Sequence, residues 1–169
     1  MLAELLRPNW LMECTLAELP LEALQARGIQ ALVLDVDRTL LPRRQSLVPP
    51  LALGWLQEAQ QQFPIHLLSN NPSRQRIGSV AQTLGLPFTT SAGKPRRGAL
   101  RRVLAQLNLP AAQVALVGDR LFTDVIAGNR LGLFTVLVKP IDAKGQPCQR
   151  DRLQKMELRL AQWMGAALR

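Results

Sequence analysis

The sequence predicts an α/β fold: a single Rossmann-like, doubly wound domain with a mostly parallel five-stranded sheet and helices on both faces. Three observations lead there. Short apolar runs alternate with stretches of helical periodicity along most of the chain. Prolines open several of the helical stretches and glycines close them. Four of the apolar runs end on concentrated polar residues: Asp35-Val36-Asp37-Arg38-Thr39-Leu40, Ser69-Asn70-Asn71, Lys94-Pro95, and Gly118-Asp119-Arg120-Leu121-Phe122-Thr123-Asp124. In a parallel sheet the carboxyl ends of the strands share one edge, so these four signals are expected to meet.

Taken in order, Met1 to Met12 is apolar and interrupted by Pro8. Thr15-Leu16-Ala17-Glu18 has the form of a capping box, and Pro20 to Ala26 reads as a helix with Gly28 just past its end. Residues 1–28 are thus an appendage ahead of the first strand, Ile29 to Leu34. Pro49 to Gln62 carries Leu51, Leu53, Leu56 and Ala59 at roughly helical spacing, and the strand Ile65 to Leu68 completes a βαβ unit. Pro72 opens the next crossover, which bears Ile77, Val80, Ala81 and Leu84 and stops at Gly85. Leu86 to Ser91 returns as the third strand.

Pro95 to Leu107 places Leu100, Val103, Leu104 and Leu107 on one face and leads to the strand Val114 to Val117. Phe122 to Leu131, closed by Gly132, leads to Leu133 to Val138. After a polar loop from Ile141 to Gln149, a C-terminal helix over 150–168 presents Leu153, Met156, Leu160, Trp163 and Ala167 on one side and Arg152, Lys155 and Arg159 on the other. The apolar side is expected to pack on the core; the competing reading is a helix that binds a membrane or a partner. The lone histidine, His66, and Trp55 read as packed residues.

A chain of 169 residues, 47% hydrophobic, suffices for one compact core, and the expectation is one domain over 1–169. Cys14 and Cys148 lie far apart without metal-type spacing, which fits a reducing compartment and idle thiols. No charged segment followed by an apolar one opens the chain, and no apolar run approaches the roughly 18 to 20 residues that span a bilayer. A cytoplasmic protein, soluble or peripheral at a membrane, is expected. The balance of 21 Lys+Arg against 12 Asp+Glu, a net charge of +9, favours anionic partners: phosphorylated substrates, acidic lipid or nucleic acid. With 4% aromatic residues and no Tyr, stacking platforms are few, which argues against nucleic acid.

The four polar signals can hydrolyse a phosphomonoester, which needs a nucleophile, a proton donor for the leaving oxygen and cations for the phosphoryl oxygens. Asp35 is the candidate nucleophile: with one oxygen on Mg²⁺ and the other facing phosphorus, it can form an aspartyl-phosphate that water then hydrolyses. Asp37 leaves the strand at a turn, where it can serve as acid and then base and offer its backbone carbonyl to the metal. Asp119 is the other direct carboxylate ligand, and Asp124 joins the acidic set, placed to orient a bound water or Lys94. Ser69 offers a hydroxyl and Asn70 a backbone N–H to the phosphoryl group, and Lys94 adds a point charge. Singly, each signal has an ordinary explanation as a turn, a cap or a solvated loop. Their order and shared strand context carry the reading.

With that set in hand the chain resembles the haloacid-dehalogenase-like (HAD) phosphohydrolases. Motif one, Asp-x-Asp-x-Thr-Leu, stands at Asp35 to Leu40; motif two is Ser69, motif three Lys94, and motif four Gly118-Asp119-x₄-Asp124. The match runs from about Gly28 to Pro140. The stretches from Asp35 to Ser69 and from Ser69 to Lys94 are each used up by one helix and one strand, so the chain looks like the capless subfamily IIIA. Ser-Asn-Asn, the Gly-Asp-x₃-Thr-Asp-Val form and Leu6-x-Pro8 are similar to the YqeG family, itself related to mitochondrial phosphatidylglycerophosphate phosphatases. The resemblance implies a phosphorylated substrate, a lipid phosphate among the candidates; Thr39, Asn70 and Arg38 are the residues expected to touch it. Arg38 departs from the family, which usually carries Asn or Gly there, and adds a cation at the mouth.

A capless site suits a bulky phosphate on a protein, a nucleic-acid end or a lipid headgroup. Arg38, Arg43, Arg44, Arg74, Arg76, Arg96, Arg97 and Arg120 all follow strands, so a basic rim is expected. With Trp10, Leu11 and Met12 it makes peripheral docking on anionic membrane one reading of this surface; solvated arginines and a packed Trp10 are the other. A phospho-accepting signalling module is the alternative from another class, since such folds also place acids, Ser/Thr and Lys at strand ends. Asp37 argues against it, because an acid two residues from the nucleophile turns the phospho-enzyme over. Oligomeric state is not legible in the sequence.

Overall fold

The computed structural model describes residues 1–169. Its elements are α1 (Leu2–Leu5), β1 (Trp10–Leu11), a 3₁₀ turn (Leu16–Glu18), α2 (Leu21–Ala26), β2 (Ala31–Leu34), α3 (Pro50–Gln62), β3 (Ile65–Leu68), α4 (Arg74–Leu84), β4 (Phe88–Thr89), α5 (Gly98–Leu107), a second 3₁₀ turn (Ala111–Gln113), β5 (Val114–Gly118), a π-helical turn (Leu121–Val125) running into α6 (Ile126–Asn129), β6 (Phe134–Leu137) and α7 (Arg152–Trp163). The strands form a six-stranded sheet in the order β1-β6-β5-β2-β3-β4, and every neighbouring pair is parallel.

Five of these strands are the expected ones. The sixth, β1, adds an edge that the sequence does not announce: a two-residue strand is too short for a period-2 pattern. Its pairing is set from outside, where Trp10 and Leu11 lie opposite Val136 and Leu137. The Asn9 side chain accepts from the Thr135 amide, and the Met12 N–H donates to the Leu137 carbonyl. The capping box at Thr15 does not close, since no side-chain hydrogen bond is made there. Helix α4 starts at Arg74 because the Ser73 hydroxyl accepts from the Arg76 N–H, and it ends at Gly85, whose φ of 66° is a left-handed conformation that glycine adopts without a Cβ clash.

Alternation of side chains across the pleat divides the core in two. Leu32, Leu34, Ile65, Leu67, Ala115 and Val117 meet α2, α3 and α4 through Leu24, Leu56 and Ile77. Ala31, Val33, Leu68, Val114 and Leu116 meet α5 through Leu100 and Val103. Trp55 is buried and donates its indole N–H to the Leu19 carbonyl; His66 is buried beside the Thr89 hydroxyl at 2.8 Å, and burial lowers its pKa. Single helices join β2 to β3 and β3 to β4, with no domain inserted at either crossover.

From β2 the chain first builds outward through β3 to β4, then crosses back to place β5 on the other side of β2. The crevice at the carboxyl ends of β2 and β5 is thus the topological switch point, where open α/β sheets bind ligands. Leu34 pairs with Val117, so Asp35 leaves its strand level with Gly118, the residue just before Asp119.

Helix α7 keeps Arg152, Lys155 and Arg159 exposed as expected, but most of its apolar side is exposed as well. Met156 is 51% exposed, Leu160 43% and Trp163 86%, whereas Gln154, Glu157 and Ala161 are buried. Polar bonds set this orientation. The Asp151 side chain caps the helix by accepting from the Gln154 N–H; Gln154 donates to the carbonyls of Asp119 and Val138; Glu157 accepts from Arg120 and from the Leu121 N–H. Leaving those groups unpaired in the interior would cost more than the exposed apolar area does. No helix is long and apolar enough to cross a membrane.

Candidate active site

The four polar signals converge on one cavity of about 490 Å³ lined by 14 residues, none hydrophobic. Asp35, Asp37, Arg38, Ser69, Asn70, Lys94, Asp119 and Asp124 all line it; Thr39 lies buried just beneath. Of the expected arginine rim, Arg38, Arg43, Arg44, Arg76 and Arg120 line the cavity and Arg74, Arg96 and Arg97 do not. Arg74 instead lies over the Phe88 ring at 5.0 Å. Trp10 is also no part of the mouth: it packs against the core beneath the Arg27 guanidinium, 4.6 Å from its ring.

Asp35, Asp119 and Asp124 form the centre, each buried, with carboxylate oxygens within 4.8 Å of one another. Lys94 reaches them from the opposite side, its Nζ donating to Asp35 Oδ1 at 2.9 Å, to Asp124 Oδ1 at 2.6 Å and to the Leu68 carbonyl at 2.9 Å. The Thr39 hydroxyl lies 3.0 Å from Asp35 Oδ2 and 3.3 Å from Asp119 Oδ1, and its one proton can serve only one of them at a time. Burial would lower the Lys94 pKa, but the Asp124 and Asp35 carboxylates outweigh that and hold it above its ordinary value. Burial and then the Asp35 charge push Asp124 up to about 6, against the pull of Lys94, and push Asp119 well above the carboxylate range. One ammonium does not balance three buried carboxylates.

That imbalance tests whether a cation fits. An all-oxygen donor set with surplus negative charge suits a hard divalent cation, which would relieve the repulsion that raises Asp119 and Asp124. Asp37 stands outside this cluster. Its Oδ2 accepts from the Asn71 amide at 2.9 Å, and its Oδ1 lies 2.7 Å from Arg76 Nη1, off the axis of a hydrogen bond. The Asp37 carboxylate is thus held by Asn71 and Arg76 apart from the acidic trio, and the expectation of a metal contact rests on its backbone carbonyl rather than on its side chain.

The turn that aims these acids is tight: the Val36 carbonyl accepts from the amides of Thr39, Leu40 and Leu41. It forces Arg38 to φ 66°, a conformation that favours Gly or Asn. Its guanidinium compensates by pairing with Asp151 at 2.8 Å, so the extra cation at the mouth is tied to the start of α7. Asn70 also does more than expected. Its side chain accepts from the Lys94 N–H at 2.8 Å and donates to the Lys94 carbonyl at 2.9 Å, clamping the residue that bears the ammonium. The Ser69 hydroxyl accepts from the Asn71 N–H at 3.0 Å.

Sequence reading missed Asn71 as a partner of Asp37, and Asp151, Gln154 and Glu157 as supports of the site. Asn71 was findable from its place beside Ser69. Gln154 and Glu157 on α7, and Asp151 just ahead of it, carried no signal, because acids and amides in such positions ordinarily face water.

Gly118 is where the geometry leaves least room. A Cβ built there would overlap the carboxyl group of Asp124. Gly118→Ala should therefore displace Asp124 from Lys94, lowering stability by about 1 to 3 kcal/mol and kcat by about tenfold or more. Urea unfolding and steady-state kinetics on the same preparation measure both.

Comparison with known proteins adds a lineage to this geometry. The family model described as HAD-hydrolase-like matches residues 91–151. The chain is 32% identical over 121 residues to the Bacillus subtilis (strain 168) protein named "Probable phosphatase YqeG", covering 71% of this chain and 70% of that one. It is 33% identical over 134 residues to phosphatidylglycerophosphate phosphatase 1, chloroplastic, of Chlamydomonas reinhardtii, and 26% identical over 159 residues to its chloroplastic/mitochondrial counterpart in Arabidopsis thaliana. Those matches cover 74% and 88% of this chain but only 50% and 45% of the algal and plant proteins respectively, about half their length. Among solved structures, an uncharacterized protein from Listeria monocytogenes serotype 4b aligns at TM-score 0.56 with 19% identity over 74% of this chain and 85% of that one. A subfamily III A HAD hydrolase from Legionella pneumophila aligns at 0.53 with 16% identity over 83% and 88%. These two share the fold.

Proposed function

The chain belongs to the HAD-hydrolase-like phosphatases, with YqeG among its relatives, and from that premise we propose that it is a Mg²⁺-dependent phosphomonoester hydrolase working through an aspartyl-phosphate on Asp35. The observation that carries this is the pairing of Asp35 with Lys94 at the floor of an open, wholly polar cavity, with Asp119 and Asp124 beside them.

Each residue has work to do in such a reaction. Asp35 Oδ2 is the oxygen left free of Lys94 and would attack phosphorus. Lys94 holds Asp35 by its Oδ1 and would offset charge on the phosphoryl oxygens, while the Ser69 hydroxyl and the Asn70 N–H would donate to the same oxygens. Asp37, held by Asn71 and Arg76, would protonate the leaving oxygen and then take the proton of the hydrolytic water. When bound, Mg²⁺ would be held by Asp35 and Asp119 with Asp124 alongside, and would neutralise charge on the transferring group.

The relatives named as phosphatidylglycerophosphate phosphatases suggest the substrate: a lipid phosphate, or another phosphate on a bulky carrier. Two features of this chain support that choice. No cap encloses the cavity, and Arg38, Arg43, Arg44, Arg76 and Arg120 line it, a basic opening suited to an anionic headgroup on a bulky carrier.

The test is a substrate panel with and without chelator. Phosphatidylglycerophosphate in mixed micelles should exceed sugar phosphates, nucleotides and phosphopeptides in kcat/KM by about 10², and EDTA should abolish every activity. A flat profile would remove the lipid assignment; turnover in EDTA would remove the metal.

A further inference from the structure

We propose that the outward face of α7 is a docking surface for an anionic lipid bilayer, with Met156, Leu160 and Trp163 entering the boundary between headgroups and acyl chains and Arg152, Lys155 and Arg159 lying against acidic headgroups. The face is built for such an occupant. Its three large apolar side chains recur at helical spacing and are exposed, Trp163 at 86%. They form a shallow cavity of about 600 Å³ with the three cations, and no acidic side chain lines it.

The helix cannot bury that face by rolling over. Its other side is committed to the catalytic loops through Asp151, Gln154 and Glu157, and to a small apolar cluster through Leu158, Ala161 and Met164. The exposed apolar residues are therefore a permanent feature of the outer surface. An indole with an apolar body and a polar edge is most stable at a membrane interface, and interleaved Arg and Lys select acidic lipid. A second copy of this chain is the weaker occupant, because two such faces would bring six cations together without an acid between them. A bilayer on the outside of α7 would sit about one helix diameter, roughly 10 Å, from the groups its inner side holds at Asp119 and Arg120.

Co-sedimentation of the full chain with vesicles lacking any phosphomonoester tests the surface independently of the proposed reaction. Binding to equimolar phosphatidylglycerol and phosphatidylcholine should exceed binding to phosphatidylcholine alone by about tenfold or more. Leu160→Ser/Trp163→Ser, and separately Arg152→Gln/Arg159→Gln, should each cut it about tenfold while hydrolysis of a soluble aryl phosphate stays unchanged. Trp163 emission should shift to the blue on binding and be quenched by brominated lipid. Equal binding to both vesicles, or undiminished binding by both variants, would overturn the proposal. So would a wild-type dimer that Leu160→Ser/Trp163→Ser converts to monomer, since a second copy would then occupy the face.

Discussion

Asp35→Asn should abolish turnover, with kcat falling by about 10⁴-fold or more, while the folded protein persists. The amide keeps the shape of the side chain but removes both the nucleophilic charge and one of the two carboxylates that hold Lys94. Stability should not fall in parallel. Asp35 is one of three acids crowded within 4.8 Å, so neutralising it relieves the repulsion that raises Asp119 and Asp124. The informative partner is Asp37→Asn. If Asp37 serves as acid and base, that variant should accept phosphate from an activated aryl ester and then stall, giving a burst of about one equivalent followed by a rate at least about 10² below wild type. Rapid-quench kinetics with acid-stable trapping of the phospho-enzyme reads both steps. Sustained turnover in Asp37→Asn would remove Asp37 from that role, and a wild-type phospho-enzyme that never hydrolyses would make the protein a signalling module.

Lys94→Met carries the second large effect, and here the loss is structural as well as chemical. The ammonium is buried and spends three hydrogen bonds on Asp35, Asp124 and the Leu68 carbonyl. Removing it strands two buried carboxylates, which typically costs about 3 to 5 kcal/mol, and removes a charge facing the transferring group, worth about 10² to 10³ in kcat. Urea unfolding should show the destabilisation in EDTA and a partial recovery in Mg²⁺, because a divalent cation can take over the neutralisation. Lys94→Met/Asp124→Asn should regain stability without regaining activity. Unchanged unfolding of Lys94→Met in EDTA would mean that the carboxylates do not depend on this ammonium.

Most of the site was legible in advance because its residues follow strands. Once Ile65 to Leu68 and Val114 to Val117 are recognised as buried parallel strands, Ser69 and Asp119 must lie at the same edge as Asp35, whatever the details. Lys94 follows the short β4 through a turn, and its position depends on the Asn70 clamp, which spacing alone does not reveal. The partners of Asp37 and the pairing of Arg38 with Asp151 belong to the same class: contacts between side chains far apart in the chain.

The sequence by itself determined the α/β class, the succession of the five main strands along the chain, the acids and the lysine of the site, and the family, because periodicity and strand-end chemistry are local and strongly patterned. Only the tertiary structure decided that Trp10 and Leu11 form an edge strand, and that α7 buries Gln154 and Glu157 while leaving Met156, Leu160 and Trp163 at solvent beside its cations. Those outcomes depend on which partners wait across space. Gln154 and Glu157 meet unpaired backbone groups and Arg120 behind the active site, and satisfying buried polar groups outweighs hiding Met156, Leu160 and Trp163.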